Sequence, residues 1–293
     1  MTVKIVTDSG SDISPEEARK LGISLVPTYV RFGDEVFRDR VDLGVDDFYA
    51  KLVTSPIYPS TAAPSPGDFA RVYQDLCKET DEILSIHITR KHSALLEAAL
   101  LGKEMTHLNG CQIEIMDSGG VTMWQGLVAI AAARAASAGD NLQGVLAKAH
   151  ETITNLKGLA LLDTLKYVVK GGRLAKTIFK VESILNVKAL VTIRDGEVRP
   201  VGLVRNWVKG IEKLNEFVRL AKGRNIQDIA IVYNTPHQDA LNLREYVKTL
   251  FPNIIPLLAR MGPTLGAHTG PGTIATALVS TKQLNSNAAL LNS

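Results

Sequence analysis

The segment GAHTGPG, residues 266–272, sets one histidine, His268, among three glycines and a proline. An imidazole donates or accepts at either ring nitrogen, and glycine lets a backbone approach another group closely. This ring is therefore either a ligand contact or a structural histidine holding a loop, and Gly266, Gly270 and Gly272 form its supporting loop. A second candidate is YPSTAAPSP, 58–66, with three prolines in nine residues. Proline fixes φ and removes donors. The segment thus predicts a stiff, extended loop that either holds the hydroxyls of Ser60 and Thr61 at a fixed point or only connects to the next helix. Ser93 stands where a helix begins. It is a cap or, because a helix N-terminus attracts anions, a hydroxyl for a carboxylate or phosphate. Asp8 ends an apolar run in TDSGSD, as an aspartyl nucleophile or a carboxylate capping its own turn. In KYVVKGGRLAK, Lys166, Lys170, Arg173 and Lys176 follow at spacings of four, three and three. They share a helical face that is either solvated or a docking surface for something acidic or phosphorylated. No GxGxxG follows a strand, and GxxxxGK[ST] and GxSxG are absent, so dinucleotide, P-loop and nucleophile-elbow readings lack their fingerprints.

These residues need elements to carry them. Short apolar runs at 3–7, 24–32, 83–88 and 112–117 predict strands. Between them, 14–22 and 65–79 open with Ser-Pro start signals, 93–108 opens with Ser93, and the Ala-rich stretch after Asp117 predicts a long helix. Strands alternating with helices predict an α/β unit with a mainly parallel sheet covered by helices on both faces. Ligands bind such sheets beyond the carboxyl ends of the strands, where Thr7–Ser9, Thr89–Ser93 and Asp117-Ser118 would gather. Past about 155 the pattern changes. We expect a helix at 159–176 broken by Gly171-Gly172, a hairpin over 186–204 turning at Asp195-Gly196, a helix over 206–222, a strand at 228–234, a helix over 236–251 and a strand at 253–259. The expected organisation is an α/β domain over 1–155, a second α+β domain over 156–281, and a polar tail over 282–293.

Net charge is +3, and charged residues make up 22% of the chain. That is too weak and too dispersed to argue for nucleic acid. Cys77 and Cys111 show neither a disulfide framework nor metal spacing, which predicts a reducing, cytoplasmic setting. The start of the chain lacks the form of a signal peptide, and Arg134 argues against a membrane span at 121–139.

Taken in order, VTDSGSD (6–12), PSTAAPSP (59–66), DS (117–118), TLKYVVKGGRLAK (164–176), ILNVKALVTIRDGEV (184–198) and GAHTGPG (266–272) resemble the DegV family, over nearly the whole chain. KGGRL and GxHxGPG are the most specific of these segments. The resemblance implies two α/β-type domains with a long-chain fatty acid buried between them. It further implies a role as the lipid-binding subunit of a bacterial fatty acid kinase, non-catalytic, without a cofactor, and partnered by a separate ATP-dependent kinase subunit. Its carboxylate-binding positions fall on Thr61, Ser93 and His268, while Arg173, with Lys170 nearby, would meet the partner or the new phosphate. The chain departs from the family pattern after Ser93, where Ala94-Leu95 replaces Gly-Thr, and at Ala189, where proline is usual. The small-residue helix after Asp117 either leaves room for a lipid tail or is plain core. A stand-alone phosphatase or acyl hydrolase using Asp8 or Ser93, and a lipid sensor or store without a kinase, are the alternatives.

Overall fold

The computed structural model describes residues 2–107, 110–172, 187–234 and 237–282. The first half is built on a parallel four-stranded sheet in the order β2-β1-β6-β7, from β1 (Lys4–Asp8), β2 (Ile23–Val26), β6 (Glu82–His87) and β7 (Gln112–Asp117). Its register sets Ile5 beside Ile23, Lys4 beside Ile83 and Glu82 beside Gln112. The helices between strands start where the sequence predicts. α1 (Pro15–Leu21) is capped by Ser14, which accepts from Glu17 N, and stops at Gly22 in the left-handed region. α3 (Pro66–Leu76) opens with a reciprocal capping box between Ser65 and Asp68. α4 (Leu95–Glu104), α5 (Met123–Ser137) and α6 (Leu142–Asn155) complete this half.

The run at 24–32 is not one strand. Pro27-Thr28 breaks it, because proline cannot extend a paired ladder. Its second part, β3 (Tyr29–Phe32), joins β4 (Glu35–Arg38) and β5 (Ser60–Ala62) in a small antiparallel sheet, ordered β4-β3-β5, with α2 (Val45–Thr54) between β4 and β5. The Pro-rich segment is therefore partly a strand. Ser60 and Thr61 are held by pairing with Arg31 and Val30 as well as by proline stiffness.

The second half is a six-stranded sheet ordered β10-β9-β8-β13-β11-β12. It comprises β8 (Leu156–Leu162), β9 (Lys188–Arg194), β10 (Glu197–Val204), β11 (Ile226–Tyr233), β12 (Leu257–Arg260) and β13 (Thr273–Ser280), with α7 (Lys166–Gly171), α8 (Trp207–Leu220), α9 (His237–Leu250) and α10 (Pro263–Thr269). All neighbours are antiparallel except β11 and β12. The expected hairpin turns at Asp195 and Gly196, both at positive φ (53° and 77°). The expected helix over 159–176 is a correction: its first part is the buried strand β8, and only α7 is helical among the described residues. An apolar run this short fits either element, and burial between two strands decided it. Arg173 and Lys176 lie outside the described residues, as does all of the expected tail beyond Lys282.

α5 is buried on all sides, and its apolar residues join one core with both the parallel sheet and β11 and β13. It is the layer between the two sheets, which is why alanine is its commonest residue: small side chains let two sheets approach one helix. Cys77, at the C-cap of α3, and Cys111, just before β7, pair as a disulfide with Cα atoms 5.7 Å apart, a pairing that a separation of 34 residues does not signal. Parallel pairing of β6 with β7 brings the two ends together. Among the described residues no helix is long and apolar enough to cross a membrane.

Candidate functional site

A cavity of about 410 Å³ lies between the two halves. β5, the start of α4 and the start of α5 wall it on one side; β8, β9, β13 and α10 wall it on the other. Its lining is mostly aliphatic, with Ile88, Leu95, Leu162, Val168, Val191 and Leu265 among the contributors.

The structure brings Thr61 and His268 together: Thr61 Oγ1 lies 2.8 Å from His268 Nε2. Both line the cavity, and both are partly exposed. The pair can be wired in two ways. If Nε2–H donates to Thr61, the threonine keeps its own O–H to donate into the cavity; if Thr61 donates, the ring proton sits on Nδ1. Ser93 lines the same cavity. It stands one residue before the N-cap, Ala94, and accepts from Leu95 N at 3.2 Å, so its hydrogen is free to donate elsewhere. The loop bearing Ser93 is clasped from the second half. Val198 N donates to His92 Nε2 at 3.0 Å, and the hairpin turn packs on Thr89, where a Cβ on Gly196 would come within 2.6 Å of Oγ1.

The glycine-rich segment is a correction. Its composition suits neither helix nor strand, yet Gly266 to Thr269 form the end of α10, so His268 sits in a helical last turn. Pro263 at the first helical position begins that helix, and Gly270 at φ 71° ends it. Close packing explains the glycines. A Cβ on Gly270 would fall 2.1 Å from the Tyr167 ring, and one on Gly272, also at positive φ, 2.5 Å from Asp163 Cβ. Gly171 of α7 passes so near that a Cβ there would come within 2.4 Å of His268 Nδ1. The first glycine of KGGRL thus belongs to the histidine's seat. Asn234, just past β11, braces the segment by donating to Gly270 O at 2.6 Å and accepting from Thr273 N at 2.6 Å. Beside it, Tyr58 and Tyr167 stack with centroids 5.5 Å apart, and exposed Lys170 sits 5.0 Å over the Tyr58 ring.

Two buried carboxylates hold α10 from below. Asp12 Oδ1 accepts from Gly262 N at 2.7 Å and Arg40 Nη2 at 3.0 Å, while its Oδ2 accepts from Thr122 Oγ1 at 2.6 Å. Asp39 Oδ2 accepts from Thr264 N at 3.1 Å, Ser9 Oγ at 3.1 Å and the Thr264 hydroxyl. They satisfy N–H groups at the start of α10 that have no helical partner. Burial raises both carboxyls above the usual range, Asp39 to about 6, against the pull of Arg40. Sequence reading missed this anchor. Asp39 and Arg40 lie in an ordinary polar run, FRDR, with no motif around them.

Asp8 takes the bland role. It is fully buried, absent from the cavity lining, and accepts from Gly10 N, Ile88 N and Gln125 Nε2 at 2.9, 3.2 and 2.8 Å. A carboxylate so occupied cannot attack a substrate, which removes it as a nucleophile. Among the described residues, no group of three or more His, Cys, Asp or Glu could hold a metal ion.

The family model described as "Uncharacterised protein, DegV family" matches residues 2–281. A DegV domain-containing protein of Lactococcus lactis is 32% identical over 94% of this chain and 98% of its own. Among solved structures, a DegV family protein from Thermus thermophilus described for its fatty acid binding superposes with TM-score 0.86 at 27% identity, covering 96% of this chain and 100% of that one. A DegV lipid-binding protein from Thermotoga maritima superposes with TM-score 0.84 at 25% identity, covering 97% and 100%.

Proposed function

Because the chain belongs to the DegV family, we propose that it binds a long-chain fatty acid in the cavity between its halves and presents the carboxylate to a separate kinase. The observation that carries this reading is the Thr61–His268 pair on the wall of an otherwise mainly aliphatic cavity of about 410 Å³. A carboxylate leaving water needs donors or suffers a large desolvation penalty. Ser93 supplies one hydroxyl, and a carboxylate that parts Thr61 from His268 Nε2 gains the threonine O–H and the ring N–H from opposite halves of the molecule. The tail supplies affinity, at about 0.8 kcal/mol per buried methylene before the cost of ordering it.

The kinase would transfer phosphate from ATP to the held carboxylate, giving an acyl-phosphate. Two features support a substrate-presenting role. The sequence lacks the nucleotide-binding fingerprints, and Lys170 stands exposed one residue from the Gly171 that seats His268. Arg173 follows in the same motif, and its planar fork suits phosphate.

Two measurements test the reading. Mass spectrometry of an organic extract of the protein, purified without detergent, should find a long-chain fatty acid. An extract without one, together with no binding of added palmitate or oleate, rejects the lipid role. With ATP and the partner kinase, Arg173→Ala should keep its lipid content and lose most acyl-phosphate formation. Loss of lipid instead would place Arg173 in the pocket or the fold.

A further inference from the structure

The acyl cavity has a second cavity behind it, of about 260 Å³, and Trp124, Thr192 and Ile193 line both. Trp124 is the bulkiest of the three. It lies in the first turn of α5 and is 4% exposed. Its ring rests on β8 at Gly158, where a Cβ would come within 2.1 Å of Cζ2, so only glycine there leaves room for the indole.

The register of β8 locates this ring along the cavity. Leu162 and Ala160 line the acyl cavity, and Gly158, next on the same face, lines the second. Leu162 pairs with Thr273, adjoining the contact of Asp163 N with Gly272 O just past His268. Gly158 pairs with Ala277, four residues further along, or roughly 13 Å of strand. The indole therefore stands at the end remote from the Thr61–His268 pair.

The ring and its root are held differently. Thr122, two residues earlier, has φ 51° and ψ −140°, a conformation that a β-branched residue adopts only under constraint. Its hydroxyl donates to Asp12 at 2.6 Å and its N–H to Gly10 O at 2.8 Å, which fix the backbone there. By contrast, the indole Nε1–H is buried with no hydrogen-bond partner among the described residues. Packing alone holds the ring, and turning it about its side-chain torsions breaks no hydrogen bond.

We infer that Trp124 is the end wall of the acyl chamber: it sets the longest chain the protein accepts, and displacing its ring joins the two cavities. This rests on the fatty-acid reading above. The test is the affinity of wild type, Trp124→Phe and Trp124→Ala for myristate, palmitate, stearate, arachidate and behenate. Affinity should rise by roughly fourfold per methylene while the chain still finds apolar wall, then stop rising. The break should move to longer chains in Trp124→Phe and further in Trp124→Ala. An unchanged break in a Trp124→Ala protein that still binds palmitate overturns the inference. A second measurement leaves the ring in place. In Trp207→Phe, Trp124 is the sole tryptophan, and stearate brominated near its methyl end should quench its fluorescence more than stearate brominated near the carboxylate. Equal quenching, or the reverse order, also overturns it. A wild type that binds no member of the series rejects the fatty-acid reading itself and takes this inference with it, whereas normal binding with an unmoved break rejects the wall alone.

Discussion

Two hydroxyl–histidine contacts in this protein are nearly identical as bonds and opposite in setting. Ser85 Oγ lies 2.7 Å from His87 Nε2, and Thr61 Oγ1 lies 2.8 Å from His268 Nε2. The first looks the more chemical. His87 Nδ1 is 3.0 Å from Asp8 Oδ2, completing a serine, histidine and aspartate in hydrogen-bonding sequence. Yet all three are wholly buried, Tyr73 OH donates to the serine at 2.8 Å, and none of them lines either cavity. The second contact instead borders space that a ligand can fill. Residue types and distances alone would favour the sealed pair as a site; access to the cavity favours the other. The sealed network serves the fold, since low dielectric strengthens a fully satisfied polar chain and penalises a broken one.

The largest effect should come from breaking the sealed side. Asp8→Ala leaves two backbone N–H groups, a buried histidine and the Gln125 amide without their acceptor. We expect a loss of about 3–5 kcal/mol in chemical denaturation, with any protein that still folds retaining its lipid. A small change in stability combined with lost lipid would mean that the network belongs to the site after all.

Next comes the anchor that links the buried and open regions. The Asp39 carboxyl is raised from 3.8 to about 6 in the folded protein, chiefly by burial. The native state therefore binds this proton more readily than the unfolded chain. Its contribution to stability is greatest below about pH 4, is lost as pH rises to about 6, and is level above, for a total of about 3 kcal/mol. Asp39→Asn should flatten the stability profile across that window. A profile unaffected by the substitution would show that Asp39 does not titrate there.

On the open side, His268→Ala should lower fatty-acid affinity roughly ten- to a hundredfold, the equivalent of an unmade hydrogen bond to a charged group at about 1.5–3 kcal/mol, with little change in unfolding. A fatty alcohol of equal length is the control. Equal losses for acid and alcohol would show that His268 only holds up the end of α10. Thr61→Val and Ser93→Ala should each produce a similar or smaller loss. On the proposed reading all three serve one head group, so combined variants should fall short of additivity; full additivity would separate Ser93 from the other two. The smallest effect belongs to Lys170→Ala. It should leave lipid content unchanged and reduce kinase-dependent phosphorylation less than Arg173→Ala does, because Lys170 offers a point charge where arginine offers a fork.

Local signals accounted for much of the fold. Ser14-Pro15 and Ser65-Pro66 start helices in the structure, Gly22 stops one, and Asp195-Gly196 turns a hairpin, because a cap, a fixed φ or a positive φ is a property of a few adjacent residues. Where an element depends on its neighbours, the reading failed. Leu159–Leu162 looked helical and belongs to a strand because β9 and β13 flank it; Gly266–Thr269 looked irregular and is helical because Asp12 and Asp39 receive the start of α10.

The candidate site divides in the same way. By itself the sequence determined which groups were worth finding: a histidine among glycines, hydroxyls on a stiff segment, a serine before a helix, and the ordered motifs of a family. Tertiary structure alone decided which of them meet. Thr61 and His268 are 207 residues apart and join only because β5 pairs with β3 while α10 docks beside it. It also decided that Asp8 is sealed, that α5 is a layer between two sheets, and that a tryptophan packed in a notch at Gly158 lines both cavities. The physical reason is that hydrogen-bonding capacity is carried by each residue type, whereas exposure and proximity are properties of the packed chain.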